Sequence, residues 1–182
     1  MKFVNQNIDG LFVIELEKFN DSRGAFIEVW KKDEIQKKIK KKINFIQENI
    51  SISKKNVFRG FHFQKYPYQQ SKLLKVINGA IYDICIDIRK NSRTFLKVFE
   101  IKIKSSDNKI LFIPKGIAHG FLSLENKTKI SYLVDNKYSP LHEDGIIYND
   151  SNLKINKNLN NKKFIISKKD KNFKNIKNLG LI

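Results

Sequence analysis

The histidines are the first residues to consider for chemistry, because imidazole exchanges protons readily near neutral pH. His62 lies in an aromatic segment, Val57–Gln64, where Gly60 separates it from Arg59. If this segment is a strand, His62 and Gln64 share one face and Arg59 lies on the other, unless a β-bulge at Gly60 brings Arg59 and His62 to the same side. A lone histidine on an aromatic strand is also often only a packed side chain, so both interpretations stay open.

Histidines also bind metal ions, so a metal site is a second possibility. Gln64 stands where a second ligand would follow His62, and although His119 could join His62, no third ligand is evident. Protein zinc sites use at least three side-chain ligands. We therefore predict no metal and no cofactor.

Two carboxylates and one lysine complete the candidate set. Alternation along Ala80–Ile88 places Asp83 and Asp87 on one face of a strand and isoleucines on the other. The carboxylate face either meets solvent or lines a polar interior. Lys72, which precedes two leucines, is by itself only a lysine at the edge of a strand.

The elements that must position these residues are mostly strands. Short segments rich in β-branched and aromatic residues recur between turn residues, as is typical of a β-sandwich or barrel. Asn78-Gly79 between two apolar runs predicts a β-hairpin. The predicted strands are Leu11–Glu17, Phe45–Ser53, Val57–Gln64, Leu73–Ile77, Ala80–Ile88, Thr94–Ile103, Lys109–Ile113 and Lys129–Val134.

One helix is predicted over Lys32–Lys40, since acidic residues lie at its start and lysines at its end, where each complements the helix dipole. From Asn152 to Ile182 the chain becomes rich in lysine, and its apolar residues are spaced to pack over the body of the protein. We expect residues 1–182 to form a single domain, with residues 152–182 as a tail over it.

Composition excludes several classes of protein. The chain has 182 residues, 41% of them hydrophobic, a net charge of +18 and one cysteine. Its 32 lysines against 4 arginines indicate compositional drift more than a nucleic-acid site, which favours arginine. No apolar run approaches the roughly 20 residues of a membrane span. We expect a cytoplasmic protein with no nucleic-acid or membrane partner.

Several motifs resemble, in order and spacing, those of the dTDP-4-dehydrorhamnose 3,5-epimerase family. The resemblance extends from about residue 5 to residue 173. The motifs are Asp21–Glu28, Gln47-Glu-Asn49, Val57–Gln64, Gln70–Leu73, Asp83–Arg89, Ile113–Phe121, Tyr138-Ser-Pro140, Gly145–Asp150 and Ser167–Asp170.

The resemblance implies a mainly β fold, a cupin-type double-stranded β-helix (jelly-roll) barrel with a few short helices. It also implies a homodimer that needs no metal and acts on nucleotide-linked 4-keto-6-deoxy sugars. A C4 ketone acidifies the hydrogens at C3 and C5, so a base can remove one and an acid can return a proton to the opposite face.

The family's catalytic roles fall on four residues of this chain. His62 matches the general base and Asp170 the carboxylate that orients it. Lys72 matches the cation that stabilises the enolate oxygen, and Tyr132 matches the proton donor on the other face.

The binding roles fall on ten further residues. Arg59, Gln47 and Asn49 match diphosphate and nucleotide contacts, and His119 and Asp83 match polar residues of the same cavity. Three more, Arg23, Phe26 and Glu28, lie on the N-terminal strands, which are exchanged with the dimer partner in the family. The last two are Tyr138, which matches a position beside the nucleotide base, and Lys168, which matches a position near a phosphate.

Some positions differ from the family pattern, including Phe58, Phe61, Ile117 and Tyr148. These differences leave the nucleotide open, dTDP or GDP, as well as a hexose or a heptose for a surface polysaccharide, and epimerisation at C3, C5 or both. A sugar-nucleotide 3,4-ketoisomerase and a non-catalytic sugar-nucleotide-binding cupin remain the alternatives.

Overall fold

The computed structural model describes residues 1–155 and 163–181. Most of it consists of a six-stranded and a five-stranded sheet, in which every pair of neighbouring strands is antiparallel. The six-stranded sheet has the order β1-β2-β10-β7-β12-β5, the five-stranded sheet the order β13-β6-β11-β8-β9, and β3 pairs with β4 alone. The strands are β1 (Lys2–Asn5), β2 (Phe12–Glu15), β3 (Lys18–Asp21), β4 (Gly24–Ile27), β5 (Gln47–Ser53), β6 (Phe58–Gln64), β7 (Lys72–Asn78), β8 (Ala80–Asp87), β9 (Val98–Lys104), β10 (Lys109–Ile113), β11 (Ile117–Ser123), β12 (Thr128–Val134) and β13 (Glu143–Gly145).

Within the described residues, two short α-helices accompany the sheets, α1 (Lys32–Ile39) and α2 (Lys168–Lys171). Helix α1 follows the prediction closely and ends at Ile39, after which Lys40 adopts a left-handed conformation. The mainly β fold with few helices is therefore confirmed. The sequence patterns did not indicate β1, β3, β4, β11 or β13.

The apolar core lies between the sheets, and β8 contributes Ile81 and Cys85 to it. A second cluster, which includes Ile84 and Ile86, lies on the outer face of the five-stranded sheet, where C-terminal residues such as Ile176 cover it. Both faces of β8 are thus buried. The face that carries Asp83 and Asp87 is an interior face, and the solvent-facing alternative is wrong.

The hairpin predicted at Asn78-Gly79 is also wrong. Strand β7 belongs to the six-stranded sheet and β8 to the five-stranded sheet, so the chain turns a corner between sheets instead of folding back on itself. Gly79 has a φ of +77°, and a Cβ there would lie 2.7 Å from Thr128 Oγ1. A left-handed glycine suits a hairpin turn and a sheet corner equally, which is why the dipeptide could not distinguish them.

The C-terminal segment runs along the five-stranded sheet. Ile165 forms a parallel bridge with Val57, and Lys174 forms one with Ile146. Within the predicted 152–182 tail, residues 156–162 and 182 lie outside the described part of the chain. No helix in the described ranges is long and apolar enough to cross a bilayer.

Candidate active site

A β-bulge in β6 brings two functional side chains to one side of the sheet. His62 lies opposite His119, but Arg59 lies opposite Phe121, so three residues of β6 span the length of two on β11. Gly60, in the bulge, has a φ of +133°, and a Cβ there would lie 2.5 Å from Gly120 Cα. Arg59 and His62 consequently line the same cavity, as the glycine between them predicts.

His62 is held by a carboxylate that is distant in sequence. Its Nε2 lies 3.0 Å from Asp170 Oδ1, and Asp170 Oδ2 accepts a hydrogen bond from the Gly60 amide at 3.1 Å. Asp170 reaches this position because Ser167 caps α2. Burial by itself would raise the pKa of Asp170, but the hydrogen bond and the charge of His62 hold it below its ordinary value. An ionised carboxylate only accepts hydrogen bonds, so a neutral His62 carries its proton on Nε2 and leaves Nδ1 free.

Lys72 and Tyr132 come from the opposite sheet. They lie on β7 and β12, which are neighbours in the six-stranded sheet, and both line the cavity with His62. Burial lowers the pKa of Lys72, against the opposing effect of the negative charges of Asp83 and Glu143. Burial raises the pKa of Tyr132, which the positive charge of Arg59 partly offsets.

A second histidine–carboxylate pair lies deeper, where His119 Nε2 is 2.8 Å from Asp83 Oδ2. These two residues and Cys85 place one potential ligand atom each within 4.8 Å of one another, a trio that sequence analysis did not anticipate. Burial, followed by the Asp83 carboxylate, raises the pKa of the Cys85 thiol well above its usual value. The imidazole is hydrogen bonded to the carboxylate, and the Cys85 thiol lies 3.7 Å from the other oxygen of Asp83, so hydrogen bonds account for the way in which the trio is held together.

The cavity between the sheets consists of two adjoining parts of about 250 and 270 Å³. His62, Lys72, Tyr132 and Glu143 line both parts. The first part adds polar groups from β5, from the residues just before β7 and from the loop that follows β12. Its further lining includes Gln47, Asn49, Gln70 and Tyr138, and the second part adds Ser51, Arg59 and His119.

Glu143 is a site residue that the sequence analysis missed. It accepts a hydrogen bond of 2.5 Å from the Tyr138 hydroxyl and forms an ion pair with Lys169. Burial would raise the pKa of Glu143, but the hydrogen bonds from Lys169 and Tyr138 outweigh it and lower the pKa. Its place depends on the pairing of β13 with β6, and a three-residue strand leaves no periodic signal.

Four predicted binding residues lie away from this cavity in the described chain. Arg23 pairs with Asp21, and Phe26 is 65% exposed. Glu28, which pairs with Lys31, follows the same hairpin, β3–β4. Lys168 is exposed on α2, and its neighbour Lys169 is the lysine that reaches Glu143.

Comparisons with known proteins agree with this architecture. A family model described as dTDP-4-dehydrorhamnose 3,5-epimerase matches residues 5–178. The dTDP-4-dehydrorhamnose 3,5-epimerase of Shigella flexneri is 34% identical over 175 residues, which cover 91% of this chain and 97% of the relative.

Solved structures agree as well. The dTDP-4-dehydrorhamnose 3,5-epimerase of Bacillus anthracis, with TDP and PPi bound, superimposes with a TM-score of 0.88 at 36% identity, over 94% of this chain and 97% of that one. The dTDP-6-deoxy-D-glucose-3,5-epimerase of Legionella pneumophila, in complex with dTDP-4-keto-L-rhamnose, gives a TM-score of 0.91 at 32% identity, over 100% and 96% of the two chains. The predicted jelly-roll fold is confirmed.

Proposed function

Because this chain belongs to the dTDP-4-dehydrorhamnose 3,5-epimerase family, we propose that it epimerises a dTDP-linked 4-keto-6-deoxy sugar at C3, C5 or both. The observation that carries the proposal is the His62–Asp170 hydrogen bond of 3.0 Å beside a cavity that Lys72 and Tyr132 also line. This set supplies a base, a cation and an acid around one space, which is what inversion next to a ketone requires.

His62 removes the proton in the first step. Its Nδ1 is the nitrogen left free by the hydrogen bond to Asp170. As the imidazole gains a proton it becomes positively charged, and the buried Asp170 carboxylate stabilises that charge. The electron pair of the broken C–H bond moves onto the C4 oxygen and gives an enolate.

Lys72 stabilises this enolate. Its side chain is partly buried in the cavity, where a positive charge acts on the developing oxyanion more strongly than it would in water. The negative charges of Asp83 and Glu143 favour the charged form of Lys72 and so oppose the effect of burial.

Tyr132 returns a proton to the carbon from the other side. His62 is on the five-stranded sheet and Tyr132 on the six-stranded sheet, and a sugar ring between the sheets has one residue on each face. Burial raises the pKa of Tyr132, so its hydroxyl stays protonated and able to donate. Arg59 then stabilises the phenolate that is left, and proton exchange with solvent resets both groups.

The diphosphate and nucleotide extend from the sugar towards the rim of the cavity. Arg59, whose side chain is exposed, is the cation for the diphosphate, and Gln47, Asn49 and Tyr138 provide polar and aromatic contacts for the nucleotide. We assign the phosphate contact predicted for Lys168 to Lys169, since that lysine forms an ion pair with a residue that lines the cavity. His119 and Asp83 support the inner wall.

The active assembly that we propose is a homodimer in which the β3–β4 hairpin reaches the partner's site. The hairpin is exposed along its length, and Phe26 and Phe19 present their rings to solvent. The outer face of β5 also exposes Ile50 and Ile52, at 63% and 61%. Exposed apolar surface of this extent is typical of a protein interface. We also propose a cytoplasmic location, since the proposed substrate is a soluble nucleotide sugar.

Solvent exchange in D2O tests the function. The protein is incubated separately with dTDP-4-keto-6-deoxyglucose and with a GDP-linked 4-keto-heptose, and deuterium at C3 and C5 is followed by proton NMR and mass spectrometry. We expect exchange with the dTDP sugar and none with His62→Asn.

Three results would contradict the proposal. Exchange with only the GDP sugar would assign a different substrate. A product with its keto group at C3 would indicate a ketoisomerase. Nucleotide binding with no exchange in either sugar would indicate a binding protein.

A further inference from the structure

Ser51 has a buried hydroxyl group that the fold does not use. Its Oγ is shielded from solvent and has no hydrogen-bond partner among the described residues. Ser51 lines the same part of the active-site cavity as Arg59 and His119. A buried polar group without a partner costs roughly 1–3 kcal/mol, so a hydroxyl kept at such a position points to a partner supplied by a ligand.

The neighbours of Ser51 on β5 show which part of a ligand it faces. Alternate residues of this strand point into the cavity, and Gln47 donates to Asn49 at 2.7 Å while Arg59 Nε donates to Ser53 Oγ at 3.2 Å. Ser51 lies between these two satisfied pairs.

The strand register places Ser51 between the proposed proton donor and the proposed diphosphate cation. Asn49 lies opposite Tyr132, and Ser51 lies opposite Ile130, two residues further along β5 and so closer to Ser53, which accepts the hydrogen bond from Arg59. The order along the cavity is thus the proton donor, then Ser51, then the diphosphate cation.

We infer that the Ser51 hydroxyl hydrogen bonds to the C2 hydroxyl of the sugar and selects for substrates that carry it. The inference rests on the proposed function, in which Arg59 holds the diphosphate on C1 and Tyr132 faces the reacting carbons. C2 is the carbon between C1 and C3, and in a 4-keto-6-deoxyhexose it carries a hydroxyl. A serine hydroxyl both donates and accepts, so it pairs with a sugar hydroxyl in either direction.

A comparison of two enzymes and two substrates tests this role. Wild type and Ser51→Ala are each assayed for deuterium uptake with dTDP-4-keto-6-deoxyglucose and with its 2-deoxy analogue, and kcat/KM is measured for all four combinations. We expect wild type to prefer the 2-hydroxy sugar by on the order of 10-fold, the usual value of one neutral hydrogen bond to a substrate. Ser51→Ala loses about this factor on the 2-hydroxy sugar and less than about 2-fold on the analogue.

The matched control is Ser131→Ala on the neighbouring strand, because the Ser131 hydroxyl donates to Glu48, which lies on the outer face of β5, away from the cavity. It should retain the wild-type preference. Binding of dTDP by Ser51→Ala at wild-type affinity shows that the site is folded.

If Ser51→Ala lost kcat/KM equally on both substrates, the hydroxyl would have a purely structural role. If it lost none on either substrate, the hydroxyl would not contact the sugar. Each result overturns the inference while leaving the epimerase assignment intact. Absence of exchange by wild type with both sugars would instead reject the proposed function.

Discussion

At the residue scale, two histidine–carboxylate pairs share one cavity but differ in exposure. The side chain of His62 is 31% exposed beside Asp170, whereas that of His119 is 8% exposed beside a fully buried Asp83. A general base must reach both the substrate and, after turnover, solvent. This difference supports the proposal that His62 transfers the proton and that His119 has a supporting role.

Asp170→Asn tests the pairing directly. The amide would donate to His62 Nε2, so the imidazole proton would move to Nδ1, the nitrogen that must accept the proton of the substrate. We expect kcat to fall on the order of 10⁴-fold, as when the carboxylate of such a pair is replaced by its amide in other enzymes. Asp144→Asn, which removes a surface ion pair with Lys65, is the control. Near-wild-type turnover by Asp170→Asn would remove Asp170 from the mechanism.

Lys72 should set the alkaline limit of activity. Burial lowers its pKa from 10.5, and burial raises that of Tyr132 from 10.0. The lysine must be charged to stabilise the enolate, so activity is present below its lowered pKa and is lost as pH rises through it. We expect the alkaline limb of kcat/KM in Lys72→Arg to shift upward, because arginine stays protonated, although the rate falls. If the alkaline limb of kcat/KM did not move in Lys72→Arg, a group other than Lys72 would set it.

At the element scale, strand patterning predicts the sheets well but not how the chain passes between them. The segments of β6, β8 and β10 are recognisable from alternation, and the β6 bulge is indicated by Gly60. The corner at Gly79 and the short strand β13 are not, because each depends on contacts with a distant element. Asp170 is the extreme case, since its partner His62 is 108 residues away. Only the family motifs indicated that contact.

Gly60→Ala should destabilise the β6 bulge. The φ of +133° is strained for any residue with a side chain, and the added methyl group would lie 2.5 Å from Gly120 Cα and 2.9 Å from His119 O, both backbone atoms. We expect a loss of roughly 2–4 kcal/mol in the free energy of unfolding, measured by urea denaturation. Gly24→Ala is the control, since its φ is also positive but nothing lies within 4 Å of the new Cβ. A loss no larger than that of Gly24→Ala would show that the close approach costs little.

At the scale of the whole molecule, the net charge of +18 has less bearing on function than the exposed hairpin. Lysines are spread over the surface, whereas Arg23, Phe26 and Glu28 cluster on one projecting element that makes no contact with its own cavity in the described chain. In the proposed homodimer, such a polar and aromatic cluster would complete the site of the second subunit, so that each site of the symmetric dimer would be composite.

Mixing two inactive variants tests this composite site. One carries His62→Asn with an intact hairpin, and the other carries Arg23→Ala and Phe26→Ala with an intact His62. In a mixed dimer, the hairpin of the first subunit enters the cavity of the second and completes one site. Co-refolding equal amounts should therefore restore about a quarter of wild-type activity, since half of the dimers are mixed and each has one complete site. If the hairpin served its own subunit, no mixed dimer would contain a complete site and activity would stay at the level of the separate variants.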